Sequence, residues 1–475
     1  MRSSYRRLVL HEEAFDLNEA ETNMRGSEDW RQTFSGLVPP GPENRESMWA
    51  QMEELFPVYR SLCGPGFLQS LEIMQKYLPL EIVEFPTGTE VLDWTIPPEF
   101  KVNEAWVEDP DGNRILDFAK EPYSVWIYSQ PFEGEVDKDE LLEHVVTMPY
   151  LPDAVPLRQA YFRKAWGLCM PDNMLQRLKP GKYKVKIDTE HNEGFLRMGE
   201  YYLPGEVEAE ILISSYLCHP RGANDNLSGC VVAAELFRLL AQVPDRYYSY
   251  RLVIWPETIG PITYIDKYPD RLAKTIGGYQ FGICGDDRPV RIDRTKRDNS
   301  VFDRAAHHAM QLCGQEINSR KFNIFGGSDP MHFNSIGVDL PIANITRAGS
   351  STEGGYPEYH SSADNLDLVS ADNLFGTLEI GWAACMAVDR ARRYKGTYTA
   401  TPFLSRYGVF PYQHGAGVGG NATIIGEAYY ALMPSVDGEQ DLLEIADWFD
   451  LPIFAFDECV SAFKKAGLIL DADSA

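Results

Sequence analysis

The chain has 475 residues, 44% of them hydrophobic and 24% charged, a globular composition with length for roughly two to four domains and a large core. Its net charge of −26 argues against nucleic acid and anionic membrane surfaces as partners, because their phosphates would be repelled. The same charge suits a cationic or free-amine substrate, and equally a plain solubility role.

Residues 1–45 are mixed and carry the turn cluster VPPGPE, which reads as an extension and linker. Their basic start lacks the apolar stretch of a leader peptide, and no later run reaches membrane-spanning length. The eight cysteines lack paired spacing, so reduced thiols and a cytoplasmic location are expected. Residues 46–88 hold two stretches of helical apolar spacing, MWAQMEELFPVYRSL and GFLQSLEIMQKYL.

Residues 89–178 change character. Short aromatic and β-branched runs, split by Pro and Asp-Gly, predict a β-rich unit with hairpins. Near its end, PLRQAYFRKAWGLC gathers Arg158, Tyr161 and Trp166. That cluster reads as an interdomain seam or, alternatively, a substrate rim.

Residues 179–395 alternate strands (YKVKID, ILISSYL, RLVIWP, YQFGIC, LPIANIT) with helices at 227–241, 301–313 and 366–393. The alternation predicts an α/β unit with a mixed, mostly parallel sheet and helices on both faces. No Gly-rich phosphate loop follows these strands, so nucleotide binding is not supported. Residues 396–475 begin with a Gly/Tyr/Pro-rich connection and then carry DLLEIADWF and FDECVSAFKKAGLIL, with a helix–turn–helix look. Their acidic residues, offset by little besides Lys464 and Lys465, argue for a scaffold or subunit contact rather than DNA binding.

The strand ILISSYL delivers His219 to its carboxyl edge, and a turn delivers Asp225 a few residues later. Ligands of open α/β sheets bind at that edge. The pair suits a divalent metal, zinc above all, although a satisfied His beside a helix-capping Asp would look the same. RLVIWPETIG ends in Glu257, and YPEYHSSADNL puts His360 in a polar loop before a helix.

The segments CHPRGANDNLSG, PETIG, GSD and YHSSAD resemble those of zinc exopeptidases of the co-catalytic aminopeptidase type. Within these, the chain is similar to an aminopeptidase-like family with an inserted β-rich domain and a C-terminal winged helix. The resemblance covers about residues 50–475. It implies a catalytic domain in 46–88 and 179–395, the insert in 89–178 and the winged helix in 396–475. It implies that His219, Asp225 and His360 bind metal and that Glu257 is the general base.

Two departures bear on the metal count. Thr258 stands where the two-metal enzymes have a second Glu, and Cys284, with Asp286 close behind, stands where their other carboxylate ligand belongs. Cys284 or Asp286 would then complete a site holding one or two zinc ions per chain. GGSDPMHF resembles the stretch lining the substrate pocket, with Asp329 as an amine anchor or as support for a ligand. Gly326 and Pro330 depart from that pattern. Arg347 and, in the loop 354–359, Tyr356 and Glu358 are further substrate-binding candidates.

The expected activity is a zinc-dependent aminopeptidase or related amidohydrolase that removes an N-terminal residue or acyl group from a small peptide or peptide-like conjugate. Alternatives are a single-zinc acyl transferase or cyclase of the same fold, against which Thr258 argues, and a degenerate binding module. A homo-oligomer is expected.

Overall fold

The computed structural model describes residues 39–161, 163–322, 328–349, 356–409 and 421–472. Most of the expected N-terminal extension, and Gly326, lie outside the described residues.

At the centre are four parallel strands with nearly continuous apolar sequence. Val207–Tyr216 pairs with Tyr248–Trp255 on one side and Thr275–Phe281 on the other, and Ile342–Arg347 pairs with Thr275–Phe281. Such runs belong to strands buried on both faces. Alternation then splits each strand between two cores: Ile211 and Ile213 enter one, Leu212 the other. Glu81–Pro86 and Phe195–Leu203 extend the sheet antiparallel on one edge, while Val290–Asp293 and Ser319–Arg320 close the other, giving eight strands among the described residues.

The first core lies under helices Pro42–Leu55, Gly229–Leu240, Val301–Leu312 and Ala371–Arg390. The Gly229–Leu240 helix is apolar all round apart from Glu235 and Arg238, and is buried accordingly. Ala371–Arg390 is started by Ser370, whose hydroxyl accepts the amide of Asn373. The second core lies on the opposite face, against Ile259–Lys267 and Phe333. The mixed sheet with helices on both faces is therefore as expected. No described helix is long and apolar enough to cross a membrane.

A separate antiparallel sheet runs in the order Arg114–Asp117, Glu99–Glu108, Lys182–Asn192, Phe132–Asp137 around its own apolar cluster. Lys182–Asn192 is a correction to the sequence reading, which gave YKVKID to the central alternation. In it Tyr183, Val185 and Ile187 are buried while Lys182, Lys184 and Asp188 face water. That is the signature of a half-exposed strand, unlike its central neighbours.

At the C-terminal end, Asn421–Ser435, Leu442–Trp448 and Asp457–Lys465 accompany a small antiparallel sheet of Arg393–Gly396, Asp437–Asp441 and Ile469–Asp471. Asp441 and Glu444 form a reciprocal cap on Leu442–Trp448. Leu443, Phe454 and Phe463 belong to the same core as the central helices. This unit is thus packed into the main body, and the Arg390 guanidinium meets the Asp457 carboxylate at 2.8 Å across the join.

Candidate metal and catalytic site

The site lies at the carboxyl edge of the parallel strands. After Val207–Tyr216 the chain turns, and the buried Arg60 fixes the turn: its Nε donates to the His219 carbonyl at 3.1 Å and its Nη1 to the Leu55 carbonyl at 2.8 Å. Burial pulls the Arg60 guanidinium down to about 10.

Asp225 sits in the turn that opens the Gly229–Leu240 helix. The hydroxyl of Tyr216 donates to its Oδ1 at 2.7 Å. Its backbone is held by the buried Asp364, which accepts the amides of Asn224 at 2.6 Å and Asp225 at 2.9 Å, together with the Tyr356 hydroxyl at 2.6 Å. Burial pushes the Asp364 carboxyl up to about 6.

His360 comes from the loop after Tyr356, in a left-handed conformation (φ 55°). Its ring stacks on Tyr359 at 3.8 Å between centroids and faces His219 at 5.0 Å. Its carbonyl accepts the Leu157 amide at 2.7 Å, and Ser362 exchanges further bonds with Val155. The segment just before Arg158, in the β-rich insert, therefore pins the His360 loop.

Glu257 follows Tyr248–Trp255. Its amide meets Cys218 Sγ at 3.4 Å, and Ser328 Oγ donates to its Oε1 at 2.6 Å. The next residue, Thr258, has φ 65° and ψ −67°, so that the Ile259 amide reaches the Glu257 carbonyl at 2.7 Å in a tight three-residue turn. A β-branched residue with positive φ is strained and persists only where its surroundings hold it. Asp329 does so: it accepts the Thr258 amide and the Trp255 indole N–H, both at 2.8 Å.

These elements bring His219, Asp225 and His360 together, each offering a donor atom within 4.8 Å of the others, with Glu257 alongside and its Oε2 3.9 Å from His219 Nε2. His360 Nε2 stands 3.0 Å from Asp225 Oδ2, yet neither atom has a partner in hydrogen-bond alignment, and both nitrogens of the buried His219 are likewise unpartnered. Buried polar atoms are normally bonded. Nitrogen and carboxylate donors that converge without satisfying one another fit a divalent cation, and this donor set fits zinc. The electrostatics agree. Burial works against charge on Asp225, but the facing His219 and His360, with the Tyr216 hydroxyl, hold its carboxyl at about 2. Burial likewise lowers His360, yet Asp225 raises it overall.

Six sequence candidates stand elsewhere. Cys284 points into the core, its Sγ 3.8 Å from the Ile345 carbonyl, and burial raises its thiol, so it offers no thiolate to the cluster. Asp286 is engaged by the Arg288 guanidinium and by Asn224 Nδ2 at 2.5 Å, and steadies the Asp225 turn from behind. The guanidinium of Arg347 is consumed by Thr377 Oγ1 and the carbonyls of Arg288 and Asn373. Asp329 has both oxygens occupied and is buried, which leaves no room for a substrate amine. Tyr356 supports Asp364 rather than facing the cluster. Glu358 lies half-buried on the His360 loop, and its carbonyl accepts the Ser361 hydroxyl. Sequence reasoning assigned no role to Asp364, Tyr216, Arg60 or Ser328, although Asp364 closes the YHSSAD string and Ser328 belongs to GSD.

Residues 49–391 match the family model described as a domain of unknown function (DUF4910). The chain belongs to this family. A relative is a Clostridium acetobutylicum protein, provisionally named a polysaccharide biosynthesis protein with aminopeptidase-like domain. It is 33% identical over 396 residues, covering 83% of this chain and 89% of that protein. A crystal structure from Clostridium acetobutylicum, provisionally called a peptidase, superposes with a TM-score of 0.81 at 30% identity, over 90% of this chain and 97% of that one. The zinc aminopeptidase of Bacillus subtilis superposes at 0.54 with 14% identity, over 72% and 94%. The peptidase M28 precursor of Shewanella amazonensis superposes at 0.53 with 12% identity, over 77% and 97%. The last two establish the fold: this family member is built on the aminopeptidase framework, and its relatives at 30% identity or above carry peptidase-like names.

Proposed function

We propose that the chain is a single-zinc amidohydrolase of the aminopeptidase type, acting on a small peptide or peptide-like conjugate. The observation that carries this reading is the set of unpartnered donor atoms on His219, Asp225 and His360 beside Glu257. One ion is favoured over two because Thr258 offers no second carboxylate, Cys284 faces the core and Asp286 is already paired.

His219, Asp225 and His360 would hold the zinc, which when bound polarises the scissile carbonyl and acidifies water. Ser328 occupies Glu257 Oε1, fixing the side chain and leaving Oε2 turned toward the donor cluster. Glu257 Oε2 is then the atom that takes a proton from water and hands it to the leaving nitrogen. Its side chain is 28% exposed, enough to meet both. Asp329 and the strained turn at Thr258 orient Glu257. The Asp364 carboxylate and the Leu157 amide orient Asp225 and His360 in the same sense. The C-terminal unit, continuous with the main core, serves as scaffold.

The test is Glu257→Gln, assayed on a panel of aminoacyl amides and small dipeptides with bound zinc measured in parallel. A loss of at least about 100-fold in turnover with zinc retained is expected. Turnover equal to wild type would refute the assignment of Glu257.

A further inference from the structure

The β-rich insert does more than brace the His360 loop. A cavity of about 160 Å³ opens where the insert meets the catalytic unit, and its wall includes Glu257 but none of His219, Asp225 or His360. From the insert side it is walled by Trp94, Pro97 and Tyr161, and from the catalytic side by Leu62 and Ile259. A dry cavity of about 150 Å³ is large enough to take one benzene ring. Apolar walls with a few placed polar groups are the usual build of a small-molecule site. Among the described residues, Glu257 is the only carboxylate in this wall.

We propose that this cavity is a leaving-group pocket for one aromatic ring or branched alkyl group, and that Trp94 and Tyr161 set the specificity. The proposal rests on the hydrolase reading above. Its direction follows from Glu257: the group that returns a proton to the departing nitrogen lines the cavity, so the substituent on that nitrogen is the part of the substrate that reaches inside. The preferred substrate class is therefore an amide whose departing amine carries an uncharged apolar group.

The position of the insert explains why the pocket and the donor cluster form together. The antiparallel bridge between Pro156 and Ser361 precedes Gln159 and Tyr161 by only a few residues. One short segment thus holds the His360 loop at one end and walls the cavity at the other.

Two measurements on the full chain test this. Zinc-loaded protein is assayed on alanyl-phenylalanine, alanyl-leucine, alanyl-glycine and alanyl-aspartate, and benzylamine binding is measured by calorimetry against ethanolamine. The phenylalanine and leucine peptides are expected to show kcat/KM about ten- to hundred-fold above the glycine peptide, with the aspartate peptide lowest. Benzylamine is expected to bind and ethanolamine not. Trp94→Ala and, independently, Tyr161→Ala are expected to weaken benzylamine about tenfold and to reduce the dipeptide preference while zinc content stays unchanged. Dipeptide turnover without preference, or benzylamine affinity unmoved in both variants, would overturn the pocket and leave the hydrolase reading standing. Benzylamine binding that both variants weaken, with no dipeptide hydrolysed, would support the pocket and overturn the hydrolase reading.

Discussion

Tyr216→Phe isolates one interaction of the site. The Tyr216 ring is buried at the end of the central strand, and its hydroxyl donates to Asp225 Oδ1 at 2.7 Å. Burial keeps the phenol neutral, so it acts as a donor to a carboxylate held ionised. Phe fits the same space and removes only the oxygen. What is lost is one hydrogen bond to a charged group, about 1.5–3 kcal/mol, and a buried carboxylate oxygen is left without its donor. In the metal-free protein, urea unfolding should show that loss as a lower midpoint with an unchanged slope. In the zinc-loaded protein the same bond orients a ligand from behind, and its removal should weaken zinc affinity about 10- to 100-fold in a chelator competition. A change below about 0.5 kcal/mol together with unaltered zinc affinity would mean that Tyr216 does not position Asp225.

Thr258→Gly should relieve the positive-φ strain, offset in part by the freedom glycine gains in the unfolded chain, for a net stabilisation of about 1 kcal/mol; a destabilisation in urea would show that the turn is not strained. Leu157→Pro removes the amide that the His360 carbonyl accepts at 2.7 Å. It should lower zinc affinity while leaving the insert folded by circular dichroism, and unaltered affinity would uncouple the insert from the site. Asp389 is buried, accepts the amides of Tyr247 and Tyr248, and has its carboxyl raised, first by burial. The folded chain therefore binds this proton more tightly than the unfolded one. The stability of wild type relative to Asp389→Asn should fall as pH rises from the ordinary Asp value, about 3.9, to the raised one, and stay flat above it. A difference that grows with pH in that window would contradict the sign.

The core of the site was legible because each of its groups sits in a short string with a clear local context. His219 and Glu257 end apolar strands, and those strands are recognisable because burial on both faces removes their polar residues. Lys182–Asn192 was misplaced by its position in the alternation, although its one-sided burial separates it from the central strands. The supports were not legible, since they act across long sequence separations: Asp364 reaches the Asp225 amide over 139 residues and Arg60 reaches His219 over 159. Cys284 and Arg347 were misjudged for a related reason. Closeness in sequence to a strand end does not say which way a side chain faces, and both turn inward. Asp329 was read as an amine anchor or as support for a ligand, and its partners, Trp255 and the Thr258 amide, follow only from the fold.

The proposed function requires His219, Asp225 and His360 to hold one zinc ion. Elemental analysis of purified wild type, His219→Ala, His360→Ala and Glu257→Gln, each loaded with zinc and freed of excess, tests it most directly. About one equivalent is expected in wild type and in Glu257→Gln, and none in either His variant. Zinc content unchanged in both His variants, or no zinc taken up by wild type, would contradict it.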